Sequence, residues 1–154
     1  MLAAWLATGA PQEIAKIAIA CPIFGAIGYA IDWLGAVKLK LWEYSRQLFG
    51  KTNYYTLVIS GWIILSVAIN AFWNWCQSTP ALAQIAGYFN VGEIGFLDSQ
   101  VLIFAVVYAV FVGLCEIPNF KTKTWTYKAP WWLVLSGWIP LIGLIRLIYL
   151  SVPA

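Results

Sequence analysis

Residues 57–65 read LVISGWIIL, and residues 133–141 read LVLSGWIPL. Upstream of each copy stands a basic aromatic box, KLKLWEY at 38–44 and KTKTWTY at 121–127. Each box follows a long apolar run. The order "apolar run, K-x-K-x-W-x-Y, apolar run opening with LVxSGWIxL" therefore occurs twice in 154 residues. Such a recurrence predicts one structural unit used twice in tandem.

The solvent of that unit follows from composition. The chain is 62% hydrophobic, 17% aromatic and 10% charged, with mean hydropathy +0.80. A soluble domain is about 25% charged. A chain this apolar cannot present a wetted surface, so most of it must face lipid. One membrane domain over residues 1–154 is expected, with repeat 1 at about 14–76 and repeat 2 at about 99–150.

Four segments reach the roughly 20 residues needed to cross a hydrocarbon core. They lie at about 14–37, 55–76, 99–117 and 130–150. They must be helices, because an open strand in lipid leaves its amides unpaired. Asp98 and Ser99 suit the N-cap of the third, and Pro130 suits the first turn of the fourth. Pro22 and Pro140 fall inside helices and are expected to kink them.

Basic residues set the expected orientation. Lys38, Lys40, Arg46 and Lys51 lie between segments one and two, and Lys121, Lys123 and Lys128 between three and four. The loop between segments two and three has no Lys or Arg, only Glu93 and Asp98. The positive-inside rule puts the two basic loops in the cytoplasm, or in its stromal or matrix equivalent, and both termini opposite. Each repeat is then an even-numbered hairpin, so the copies run parallel about an axis near the membrane normal. The expected fold is an all-α integral membrane protein of four transmembrane helices in two tandem parallel-oriented hairpins. A short interfacial helix at about 80–89, opened by Thr79-Pro80, is expected in the outer loop.

The first eleven residues, MLAAWLATGAP, read as an interfacial stub anchored by Trp5. A cleaved signal peptide fits poorly, because no basic residue precedes Lys16 and Glu13 interrupts the run. Lipidation at the AIAC of 18–21 would destroy the first span. Cys21, Cys76 and Cys115 are odd in number and scattered in depth, which argues against a disulfide framework or a metal cluster.

The chain contains no histidine. That removes imidazole haem ligation, His-based triads and most zinc sites. No phosphate-binding, dinucleotide-binding, C-x-x-C or G-x-S-x-G motif occurs. A protein without catalytic activity, metal or nucleic-acid partner is expected. Its basic boxes mark topology and touch anionic head groups. Contact with lipid, pigment or quinone stays open.

Polar residues inside spans are functional candidates by default. Asp32 and Glu116 stand near the inner ends of the odd-numbered helices, six and five residues before the next box. They read either as a carboxylate pair for a cation or protons, or as partners of their own loop lysines, the favoured alternative. Asn70 and Arg146 occupy equivalent positions in helices two and four. Arg146 reads either as a charge toward a shared cavity, for an anion or lipid phosphate, or, preferentially, as snorkelling outward toward head groups, Glu93 or Asp98.

Ser60, Gly61, Ser136 and Gly137, with Ala26 and Ala30 in the first helix, are the expected helix-packing positions. Gly25 and Gly28 stand beside the alanines. Lys38, Lys40, Trp42, Lys121, Lys123 and Trp125 are the expected interfacial lipid contacts, with Tyr44, Tyr127, Trp131 and Trp132 in the same belt and Trp73 and Trp75 in the outer one. Trp62 and Trp138 fall deeper, where an indole N–H needs an acceptor. These features favour a structural or accessory subunit of a larger membrane complex, of which an energy-converting assembly is one setting. The alternative is a small oligomeric channel or transporter.

Overall fold

A computed structural model describes residues 11–45, 54–82, 84 and 99–153. Four helices carry it: α1 (Pro11–Asp32, continued by a π-helical stretch over Trp33–Lys38), α2 (Tyr54–Gln77), α3 (Ser99–Thr122) and α4 (Trp131–Ser151). Each is long and apolar enough to cross a membrane, over Ile14–Lys38, Thr56–Gln77, Gln100–Thr122 and Trp131–Ser151. A helix pairs its own amides, so an apolar run of this length can be stable in lipid.

Helix ends depart from expectation in two places. α3 continues five residues past 117, straight through Pro118. A proline removes one N–H donor and crowds the carbonyl four residues before it, yet the helix runs on to Thr122. The last turn closes through Thr122 Oγ1 to the Pro118 carbonyl at 3.1 Å and Lys123 N to the Asn119 carbonyl at 2.9 Å. Pro130 precedes α4 as its cap, with extended φ −56° and ψ 135°. Its carbonyl accepts from Leu133 N at 3.0 Å.

The basic loops correct the all-α reading. Trp42–Tyr44 forms strand β1 and Trp125–Tyr127 forms strand β2, paired antiparallel. The register sets Trp42 against Tyr127, Glu43 against Thr126 and Tyr44 against Trp125. Ser45 N to the Thr124 carbonyl and Lys128 N to the Leu41 carbonyl, both 2.8 Å, extend the ladder. The W-x-Y half of each box has the period-two pattern of a strand. Its four aromatics are half-buried, while Glu43 and Thr126 are exposed. Between helix and strand the chain reverses through a left-handed residue, Lys40 with φ 52° and Lys123 with φ 53°. Both occupy the third place of their box.

In the loop after α2, Pro80–Leu82 and Gln84 are helical. The rest of the expected 80–89 helix lies outside the described residues, as do Trp5, Arg46, Lys51, Glu93 and Asp98. Thr79 serves both ends: its hydroxyl donates to the Trp75 carbonyl at 2.8 Å, and its own carbonyl accepts from Leu82 N at 3.2 Å, opening the next turn at Pro80 as expected.

α2 and α4 contact each other, and each contacts both α1 and α3. Phe24, Ile69, Val107, Ile142 and Ile145 fill the centre. The Trp62 ring packs edge-on against Phe24 at 6.0 Å and lies 6.3 Å from the ring of Trp138.

Close approach uses other small residues than those expected. Gly25 and Gly28 are buried, and a methyl on them would strike Ile63 and Trp62 of α2. Gly35 is buried against the Trp42 ring in the same way. Cys21, Gly25, Gly28, Asp32 and Gly35 are buried along one helical stripe, with Ala20 and Phe24 buried beside it. Ala26 and Ala30 fall on its outward side and are exposed. Ser60, Gly61, Ser136 and Gly137 are also exposed, and open space surrounds both glycines. Within the described chain none of these six seats a neighbouring helix. A small residue permits contact only where the rest of its face points at a partner.

Candidate functional site

The charged and amide side chains buried in the described spans gather in two clusters, one under the β-ribbon and one at the opposite end of the bundle. The first begins with burial of a carboxylate on each odd-numbered helix. Asp32 is 1% exposed and Glu116 is 5% exposed. An isolated carboxylate in such surroundings is costly, so donors must reach it. The ribbon brings them. Trp42 Nε1 and Tyr44 OH donate to Asp32 Oδ1 at 3.0 and 2.7 Å. Tyr127 OH and Trp138 Nε1 donate to Glu116 Oε1 at 2.6 and 3.1 Å. Trp125 Nε1 donates to Tyr127 OH at 2.6 Å, and Trp125 N to Asn119 Oδ1 at 2.9 Å.

The favoured expectation joined Glu116 to a lysine of its own loop. The structure gives it a tyrosine and a tryptophan instead. The left-handed turn at Lys123 folds the box back beneath itself, which aims W-x-Y at the helix end and leaves Lys121 and Lys123 exposed. Trp42 and Trp125, expected at lipid, are likewise drawn inward by these bonds. Lys38, Lys40, Lys121 and Lys123 remain exposed, with Lys38 Nζ 5.0 Å from the Trp33 ring centre. Lys128 pairs with Glu43 across the exposed face of the ribbon. Burial, then the hydrogen bond to Glu116, pushes the Tyr127 phenol above its ordinary value of 10.0.

The second cluster centres on Arg146, 8% exposed. Its expected partners Glu93 and Asp98 lie outside the described residues. Its NH1 donates to Asn74 Oδ1 at 2.8 Å and, at 3.4 Å, to Asn70 Oδ1, 76 residues earlier in the chain. Its NH2 donates to Gln77 Oε1 at 2.9 Å. The guanidinium stacks over Trp73 at 5.2 Å and Tyr149 at 5.0 Å. Asn74 Nδ2 donates to Tyr149 OH at 3.1 Å, and Gln77 Nε2 to Gln100 Oε1 at 3.1 Å. Lys16 Nζ sits 5.9 Å from the same Tyr149 ring. Trp73, expected in an interfacial belt, is buried; Trp75 is exposed as expected.

Several members of these clusters were not singled out from sequence: Asn74, Gln77, Tyr149, Lys16 and Asn119. The signal was present for α2, where Asn70, Trp73, Asn74 and Gln77 follow the i, i+3, i+4, i+7 spacing of one helical face. Both carboxylates accept from aromatic donors, Asp32 from Trp42 and Tyr44, Glu116 from Tyr127 and Trp138. Among the described residues no three His, Cys, Asp or Glu side chains come together as a metal site. Cys21, Cys76 and Cys115 are free thiols.

No protein-family model matches this chain, and neither a curated protein nor a solved structure resembles it.

Proposed function

We propose that this protein is a non-catalytic structural subunit of a larger integral membrane complex, built as two tandem hairpins with the ribbon on the cytoplasmic side. The observation that carries the reading is the exposure of the two Ser-Gly faces on α2 and α4. Lipid chains do not require small residues. Helices approaching closely in a membrane do, so these faces suit helices of another chain. Support comes also from how the polar side chains are used: hydrogen bonds join helix to helix and helix to ribbon.

The duplication is supported by contacts between equivalent residues. Trp62 meets Trp138, Asn70 meets Arg146, and the two boxes pair with each other. An axis passing between equivalents brings them together in this way. The channel reading is disfavoured within one chain, because Phe24, Ile69, Val107 and Ile142 close the middle of the bundle. A path would have to run between copies.

Extraction from native membrane in mild detergent, followed by native mass measurement, tests the proposal. Co-purifying chains lost on Gly61→Leu or Gly137→Leu substitution are expected. A lone 17.2 kDa species overturns it.

A further inference from the structure

The Tyr127 phenol stands between a donor and a base. An indole N–H can only donate, and Trp125 Nε1 gives its proton to the phenol oxygen at 2.6 Å. The phenol's own proton is thereby left for Glu116 Oε1, also at 2.6 Å. Trp138 Nε1 donates to that same oxygen at 3.1 Å and holds the acceptor in place. Among the described residues no Lys or Arg pairs with Glu116, so its buried charge rests on neutral donors. Burying a charge without a counter-charge is costly. A proton delivered to Glu116 would relieve that cost, and loss of an electron from Tyr127 would deliver one.

We propose that Tyr127 is a redox-active tyrosine, which yields one electron to an outer-sphere one-electron oxidant and passes its phenolic proton to Glu116. The phenol O–H bond breaks, an O–H bond forms at Glu116 Oε1, and the electron leaves to the oxidant. The pair starts with one buried negative charge and ends as a neutral phenoxyl radical beside a neutral carboxylic acid. Trp125 Nε1–H stays on the radical oxygen throughout. Trp125 and Tyr127 are half-buried in the ribbon, so an oxidant at that end of the bundle comes near them without entering it. Two other tyrosines serve as comparisons. Tyr44 donates to Asp32 Oδ1 at 2.7 Å, and Tyr108 to the Leu135 carbonyl at 3.0 Å, an acceptor that keeps no proton. The transfer needs this chain and an oxidant alone, whether or not the chain is a subunit.

Oxidation of the full chain in mild detergent by flash-generated tris(bipyridyl)ruthenium(III) tests the assignment, with radicals followed by transient absorption and electron paramagnetic resonance. A tyrosyl radical is expected in the wild type, in Tyr44→Phe and in Tyr108→Phe, and its loss in Tyr127→Phe. In the wild type its proton couplings should change in D2O, because both hydrogen bonds to the phenoxyl oxygen carry exchangeable protons. Glu116→Gln keeps an acceptor oxygen and removes the base. It should slow radical formation about a hundredfold, the low end of what a positioned proton acceptor contributes. Thermal melts in circular dichroism check that each variant is folded. A tyrosyl radical at full yield in Tyr127→Phe, or its loss in Tyr44→Phe or Tyr108→Phe, overturns the proposal. So does an undiminished rate in Glu116→Gln, a wild-type radical on tryptophan only, or couplings unchanged in D2O. These last three readouts decide even where Tyr127→Phe does not fold.

Discussion

At the scale of single residues, the decisive positions are those where one atom more or less changes a contact. Gly28 and Gly35 lie directly against the indoles of Trp62 and Trp42. Alanine at either should destabilise the chain by about 1–3 kcal/mol through overpacking. Alanine at Gly61 or Gly137, where nothing is near, should raise the stability of the isolated chain by up to about 1 kcal/mol, because alanine is the better helix former. Thermal midpoints in detergent separate the two pairs. Tyr127 gives a pH dependence with a definite sign. Its folded pKa is raised above 10.0. Below that pH both folded and unfolded phenols keep the proton, and its contribution is complete. As pH rises further, the unfolded chain loses the proton first, so stability falls. Tyr127→Phe should flatten that alkaline decline. It should also cost about 1–3 kcal/mol at neutral pH, since Glu116 loses a donor.

At the scale of elements, the helices were legible and the ribbon was not. Length and hydropathy suffice for a helix in lipid, because no other open structure pairs its amides there. A three-residue strand carries only an alternation of W-x-Y, which also suits an interfacial belt. What decides between them is the left-handed turn before each strand, and lysine does not announce one. Glycine takes such a conformation without the steric cost that a Cβ brings. Lys40→Gly and Lys123→Gly should therefore each raise stability, by about 0.5–1 kcal/mol, in chemical denaturation. The register makes a second prediction. Glu43 and Thr126 face each other as a directly opposed pair. Antiparallel partners of this kind stand about 5.5 Å apart at Cα, within disulfide range. Cysteines at both positions should join under mild oxidation, seen as a linked peptide pair by mass spectrometry; two free thiols would contradict the pairing.

At the scale of the whole molecule, the two motif copies offered an alignment of positions but not which aligned residues touch. Asp32 and Glu116 were recognised as intramembrane groups from their depth alone. Depth along an axis does not say which side chain arrives from a neighbouring loop, so their aromatic donors stayed hidden. Arg146 and Asn70 were matched by a 76-residue offset, yet their contact depends on how α2 and α4 face each other. Membership of α1 in the bundle shows the same limit: its glycines and alanines were both visible, and only the buried stripe selects the glycines.

The pairing of strands so distant in the chain bears on how the protein is made. When the ribosome has delivered the first hairpin, strand β1 has emerged without the edge it needs, and the Leu41 carbonyl and the Ser45 N–H wait hydrated. Only the arrival of residues 124–128 completes them. The first half is thus an unfinished piece that the second half repairs. Expressed alone, residues 1–84 should be cleared by membrane proteases; co-expressed with residues 85–154 as a separate chain, they should survive and co-purify, without a peptide bond between them.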